Sequence, residues 1–279
     1  MTHRGRIVAV ILILVMSMLN VNIYFAEEEK QSEIILPVLM YHNIVEEYPE
    51  WAAGENITPE LFEAHMQGIL DRGYTPILVN EYYNFIIKGK DLPENPIAIT
   101  FDDGYLSNYE IAYPILKKLN IPATIFIVTS TVGLDVSSGK VSNPHFTWEQ
   151  AREMQESGLI DIHSHSHTHK DMASLSLAEL QFDLRMSRYL IEKNMGRNCY
   201  VFSYPYGRYN EKTLQFAKFA GYRMQIFVND SESGEDYLAN KASDGIEHFT
   251  RLTVSGDMSV EDLYERIDVA VKNTLKSAQ

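Results

Sequence analysis

Unbroken apolar runs recur along the chain, each followed by a polar turn and a stretch with helical spacing. Eight runs read as strands: 34–41, 76–79, 97–101, 123–128, 159–163, 200–203, 223–228 and 246–254. They are mostly continuous rather than alternating, as expected of strands covered on both faces. The helices between them announce their own ends. Thr58 before Pro59 is an N-cap with proline at the first helical position, and Phe62, Met66, Ile69 and Leu70 then share a face. Thr147 with Gln150, and Ser176 with Glu179, have capping-box spacing, and Gly196 is placed to stop the helix begun at Ser176. Ser259 opens a last helix with Leu263, Ile267 and Val271 on one stripe. Strand–helix alternation predicts an α/β fold with a parallel sheet, and this many units predicts a closed or nearly closed (β/α)7-8 barrel. The longest expected loops are 46–57, 130–146 and 229–245.

The N-terminus breaks this pattern. His3, Arg4 and Arg6 precede an apolar run from Ile7 to Leu19, and a mixed tail from Asn20 to Ala26 leads into the charged Glu27–Lys30. A basic start before such a run reads as a signal peptide or an N-terminal anchor. Cleavage after Ala26 would leave Tyr24 where a small residue is preferred, and the segment from Ile7 to Ala26 approaches the ~20 residues of a spanning helix. An uncleaved anchor is slightly favoured. The basic end then stays in the cytoplasm and the domain lies outside, anchored or secreted. The expected organisation is residues 1–26 as signal or anchor, 27–34 as linker and 35–279 as one catalytic domain.

Charge narrows the partners. A net charge of −14 argues against nucleic acid and against broad adsorption to anionic surfaces. It leaves contact with the membrane to the N-terminal segment alone, and a neutral or cationic substrate fits best. Cys199 is the only cysteine, so an intramolecular disulfide is excluded. Its apolar surroundings predict a buried, inert thiol.

Catalytic groups in such barrels sit where strands end, which here means after Tyr41, Phe101, His163 and Ser203. After Phe101 come Asp102, Asp103 and Gly104. Two adjacent carboxylates repel unless a cation intervenes, so a metal bound by one would leave the other as a base. A surface Asp-Asp-Gly turn is the simpler alternative. The second constellation holds four histidines in seven residues, His163, His165, His167 and His169. Pairs four apart can meet on one metal if the segment coils, as His163 with His167 or as His165 with His169. The second register is favoured, because the strand must end before its ligands turn into the site. One Asp and two His leave room for water, as catalytic metals require, and suit zinc or a similar divalent ion such as Co2+ or Ni2+.

Thr100-Phe-Asp-Asp-Gly104, then His165-Ser-His-Thr-His169, then Ser203-Tyr-Pro-Tyr-Gly207 resemble the motifs of the polysaccharide deacetylase family of carbohydrate esterases. The resemblance runs from about Leu36 to Val260 and implies a distorted (β/α)-barrel. It implies Asp102 as general base, Asp103, His165 and His169 as metal ligands, and the Tyr206 backbone N–H as oxyanion donor, with Pro205 and Arg251 also on the oxyanion and substrate side. Two features depart from the common pattern. The third motif lacks its usual Arg, and the late segment around His248 lacks the usual Leu-x-His. Arg251 is the candidate replacement partner for Asp102. His42, at the end of the first strand, is the candidate acid, as in the branch that deacetylates poly-N-acetylglucosamine. The implied reaction is metal-dependent hydrolysis of N-acetyl groups on an acetylated polysaccharide, releasing acetate. An O-acetyl esterase of the xylan type, or a decayed glycan-binding module, would carry a similar signature.

Overall fold

The computed structural model describes residues 33–137, 142–228, 237–247 and 249–276. The segment read as signal or anchor, most of the linker after it, and His248 lie outside these. No helix among the described residues is long and apolar enough to cross a membrane.

One parallel sheet organises the molecule. Its strands are β1 (Val38–Tyr41), β2 (Thr75–Ile77), β3 (Pro96–Asp103), β4 (Ala123–Ile127), β5 (Ile160–Ser164), β6 (Val201–Ser203), β7 (Met224–Ile226) and β8 (Leu252–Thr253). Their order is β7-β6-β5-β4-β3-β1-β8, with β2 paired to the start of β3. The two ends of this path meet at a parallel bridge between Ile226 and Phe249, where the Phe227 amide donates to the Phe249 carbonyl at 2.9 Å. The result is a distorted (β/α) barrel with a narrow seam, as the strand–helix alternation implied.

The helices are α1 (Pro59–Asp71), α2 (Val79–Lys88), α3 (Tyr113–Leu119), α4 (Trp148–Glu156), α5 (Leu177–Met195), α6 (Glu211–Ala220) and α7 (Val260–Lys276). The capping signals do what their residue types dictate. Thr58 accepts from the Leu61 amide, Thr147 and Ser176 form reciprocal boxes with Gln150 and Glu179, and Gly196 ends α5 at φ 67°. The Ser259 hydroxyl accepts from the Asp262 amide at 3.1 Å.

Some boundaries differ from the sequence expectation. Pro37 divides the first run, so that Ile35–Leu36 pairs antiparallel with Asn240–Lys241. Val79 is not a strand residue but the start of α2, where the Glu81 carboxylate accepts from the Leu78 amide at 2.7 Å. That local cap wins over apolar continuity. The expected strand 246–254 shrinks to Leu252–Thr253 plus the Phe249 bridge. The segment spans the seam, so its two ends pair with different strands, β7 and β1.

The period-two geometry of strands sorts the core into two layers. Val38, Ala98, Phe126, Val201, Met224, Ile226 and Phe249 pack inside the barrel. Leu39, Ile97, Ile99, Phe101, Ile125, Ile162 and Phe202 point outward, where they pack with helix residues such as Phe62, Met66, Leu184 and Ile267.

Loop 46–57 is tied to the approach of α7. The Tyr48 hydroxyl donates to the Gly256 carbonyl at 2.7 Å, and the Gly256 amide donates to the Ala53 carbonyl at 2.7 Å. A Cβ at Gly256 would lie 1.9 Å from the Asn56 carbonyl oxygen, a backbone atom that cannot swing aside. Gly256→Ala is therefore expected to destabilise the protein by about 1–3 kcal/mol. Urea unfolding measures this; an unchanged midpoint would show that the tie contributes nothing.

Candidate active site and metal centre

Strand phase aims the chemistry at the barrel axis. Asp102 is in phase with Ala98 and Thr100 on β3, His165 follows in phase with Asp161 and His163 on β5, and Ser203 is in phase with Val201 on β6. Parallel strands bring all these C-terminal ends to one mouth.

The centre of that mouth is an ion pair. Arg251, fully buried, donates from both terminal nitrogens to the two oxygens of Asp102, each at 2.6 Å. The same guanidinium donates to the Ser203 hydroxyl at 2.8 Å and lies 5.4 Å from the centre of the Phe126 ring. Burial opposes ionisation of Asp102, but Arg251 outweighs it, helped by His165 and His42, and holds the carboxyl well below the usual carboxylate range. Arg251 therefore lies beneath the site as the partner of Asp102, not on the substrate side. The cation that relieves the paired carboxylates is in the first instance this guanidinium.

Asp103 belongs to the outward phase, yet it reaches the site. Its φ of 70° breaks the strand alternation, and Gly104 follows at φ 81°, where a Cβ would come within 3.0 Å of Ile127. Ser166, His169 and Tyr206 also take left-handed φ angles, of 73°, 55° and 60°. Four of the six described non-glycine residues with positive φ thus surround one mouth. Backbone of this kind costs of order 1–3 kcal/mol per residue and persists only where surrounding contacts impose it. Buried Asp183, on α5, accepts from the backbone amides of His167 at 2.6 Å and Thr168 at 3.0 Å. The Ser166 hydroxyl accepts from the His169 amide at 2.9 Å.

This coiling brings Asp103, His165 and His169 together, with one ligand atom from each inside a 4.8 Å group. His169 Nε2 lies 3.2 Å from Asp103 Oδ1, and His165 Nε2 lies 3.7 Å from the same oxygen. His165 Nδ1 donates to the Ser203 carbonyl at 3.0 Å, which leaves Nε2 with its lone pair facing the carboxylates. Burial lowers the His165 pKa to about 4 against the raising effect of Asp102 and Asp103, so the ring is neutral, as a ligand must be. Asp103 Oδ1 is buried without a hydrogen-bond partner. A buried orphan oxygen facing two imidazoles is a donor set that fits a divalent cation.

The other histidine register is used elsewhere. His163 is fully buried inside the barrel, bonded to Asp161 at 3.2 Å and 3.6 Å from the Cys199 sulfur. His167 bonds Thr129 at 2.9 Å and rests its ring on Phe182. Burial pushes the Cys199 thiol up to about 12, in keeping with an inert side chain.

His42 follows β1, half-buried, with Nδ1 buried and unpartnered and its carbonyl held by Asn108 at 2.8 Å. Pro205 is buried in the turn that presents Tyr206, whose exposed ring packs 4.8 Å from His169. The sequence reading missed Asp183 and His145. Asp183 sits on the buried stripe of α5 between Leu180 and Leu184, and a carboxylate in that phase was the available signal. His145 stacks on Tyr105 at 5.1 Å through a long loop that carries no periodic signal.

A profile of the polysaccharide deacetylase family matches residues 89–225. A Bacillus subtilis (strain 168) protein, YxkH, that carries the polysaccharide deacetylase name is 34% identical over 203 residues, covering 72% of this chain and 67% of the relative. The poly-beta-1,6-N-acetyl-D-glucosamine N-deacetylase of Staphylococcus aureus (strain MRSA252) is 27% identical over 216 residues, 70% of this chain and 71% of its own. The solved Streptococcus pyogenes deacetylase PplD, in complex with acetate, aligns with a TM-score of 0.70 at 27% identity, covering 84% of this chain and 99% of that one. The chain belongs to the polysaccharide deacetylase family. It is accordingly a hydrolase of carbon–nitrogen bonds.

The ion pair has a pH signature. Asp102 is held below its unfolded value, so it adds stability above about pH 4 and loses it as pH falls through the depressed folded value. Without Arg251, burial is opposed only by His165 and His42, and it favours the neutral acid. Arg251→Met is expected to cost about 3–5 kcal/mol at pH 7, with the deficit narrowing below pH 4. Urea unfolding at both pH values measures it; a pH-independent deficit would assign the loss to packing instead.

Proposed function

We propose that the chain is a metal-dependent deacetylase that removes N-acetyl groups from an N-acetylglucosamine-containing cell-surface polysaccharide. The observation that carries this reading is the orphan Asp103 oxygen between His165 and His169, beside a carboxylate kept charged by Arg251. Asp103, His165 and His169 would hold the ion. Zinc suits two imidazoles and a carboxylate, and cobalt or nickel would serve similarly. A divalent ion bound there supplies Lewis-acid polarisation of the amide carbonyl and of the attacking water.

The chain's own groups do the rest. Asp102, ionised and fixed in its plane by Arg251, accepts the proton of the attacking water. Tyr206 offers its backbone N–H to the developing oxyanion, a donation worth about 3 kcal/mol in comparable sites. His42 protonates the departing amine. Acetate and a free amino sugar result. The Staphylococcus aureus relative, a poly-beta-1,6-N-acetyl-D-glucosamine N-deacetylase, supports the polymer, and the acetate in the Streptococcus pyogenes structure supports the product. The basic and then apolar segment 1–26 supports a place outside the cell, anchored or secreted.

Zinc-loaded enzyme is expected to release acetate from N-acetylglucosamine oligomers, to stop on chelation and to resume on metal re-addition. Release that survives chelation would remove the metal from the reading. Metal analysis is expected to show loss of the ion in Asp103→Asn and His165→Gln and retention in His167→Gln; the opposite pattern would move the ligands to the other register. His42→Ala is expected to lower kcat by about 100-fold or more with metal content retained. A near-wild-type rate would leave His42 a structural role only.

A further inference from the structure

Beside the ligand trio, a cavity of about 640 Å³ opens between loop 46–57 and residues 142–143. That volume falls within the ~300–1,000 Å³ of ligand clefts. Asn43, Glu47, Tyr48, Glu55, Asn56 and Tyr105 are among its walls. It is continuous with the site at two points. Asn43 directly follows His42, and Tyr105 follows Asp103 by two residues, its hydroxyl pushed up by burial and then by the charges of Asp103 and Glu55.

The lining has the chemistry of a sugar subsite with a sign. Tyr48 and Tyr105 bring aromatic side chains to its wall, and Asn43 and Asn56, bonded to each other at 3.1 Å, bring amides. The charged groups among its described lining residues are both carboxylates, Glu47 and Glu55. Both are exposed, and neither forms an ion pair among the described residues. A fully acetylated polymer is neutral and brings nothing for these charges to meet. The polymer left by one round of deacetylation carries an ammonium group.

We infer that this cleft binds a glucosamine residue already freed of its acetyl group, next to the N-acetylglucosamine being hydrolysed. Glu47 and Glu55 pair with the ammonium, and Tyr48 and Tyr105 hold the ring. The enzyme then acts faster on partly deacetylated chains and extends deacetylated tracts from existing ones. This rests on the deacetylase reading and deepens it.

The test compares the zinc-loaded enzyme with the double variant Glu47→Gln, Glu55→Gln. The two substrates are N-acetylglucosamine oligomers of equal length, one fully acetylated and one carrying a single glucosamine, at slightly acidic pH. The ratio of kcat/KM for the two is read. Wild type is expected to favour the glucosamine-bearing oligomer by up to about fivefold at low salt, the worth of an exposed charge pair. That preference is expected to fall as salt rises and to approach unity in the double variant. A wild-type ratio near one, or a preference unchanged by the double variant, overturns the inference. Binding of an all-glucosamine oligomer is measured by calorimetry in parallel and needs no turnover. Binding weakened about tenfold by the two substitutions supports the cleft, and equal binding overturns it. Absence of acetate release from either oligomer, with the calorimetric difference intact, would instead sink the deacetylase reading and leave the cleft standing as a site for cationic sugars.

Discussion

A carboxylate at the axis of an apolar barrel stays charged only if a cation meets it there. Arg251 meets Asp102 with two nitrogens on two oxygens, and the arrangement of the mouth follows from that contact. Desolvating both charges is costly, and their attraction offsets this only in good geometry with remaining hydrogen bonds supplied. Thr100 and Ser203 supply them from β3 and β6. Ser203 also accepts from His165 with its carbonyl, so one residue at the end of β6 orients Asp102 through Arg251 and the His165 imidazole directly.

Around this fixed centre the backbone is forced into unfavourable turns. Asp103, Ser166, His169 and Tyr206 all take left-handed conformations, and each redirects a side chain or an amide that regular strand geometry would send elsewhere. The cost is borne by contacts further out. Asp183 reaches from α5 to the amides behind His167, and the Ile127 carbonyl accepts from the His165 amide at 2.9 Å. The site is thus strained in its own backbone and held in place by residues with no chemical part in it.

The sequence carried much of this. Continuous apolar runs gave the parallel sheet, and the caps at Thr58, Thr147 and Ser176 gave helix starts to the residue. Asp102, Asp103, His165 and His169 stood in compact motifs, and the argument that a strand must end before its ligands turn selected the register that the structure brings together. Periodicity alone does not carry long-range decisions. Only the family resemblance and the missing Arg of the third motif point to Arg251 as the partner of Asp102; it lies 149 positions away, and the closing of the barrel puts the two in contact. The segment 246–254 has the apolar content of a strand, but the seam gives its two ends different partners. Val79 shows the reverse, where a cap from Glu81 overruled an apolar run.

The seam where Ile226 meets Phe249 lies two residues from Arg251. It holds one ladder contact among the described residues, as does the β5–β6 junction, against four or five between β3, β4 and β5, so it is thinly paired. Parting of that edge would draw Arg251 away from Asp102 and leave an isolated charge in the interior. Structural integrity and chemical competence are therefore one cooperative unit in this enzyme. A molecule loosened at its seam goes silent, and its reactive groups do not persist in a half-formed pocket.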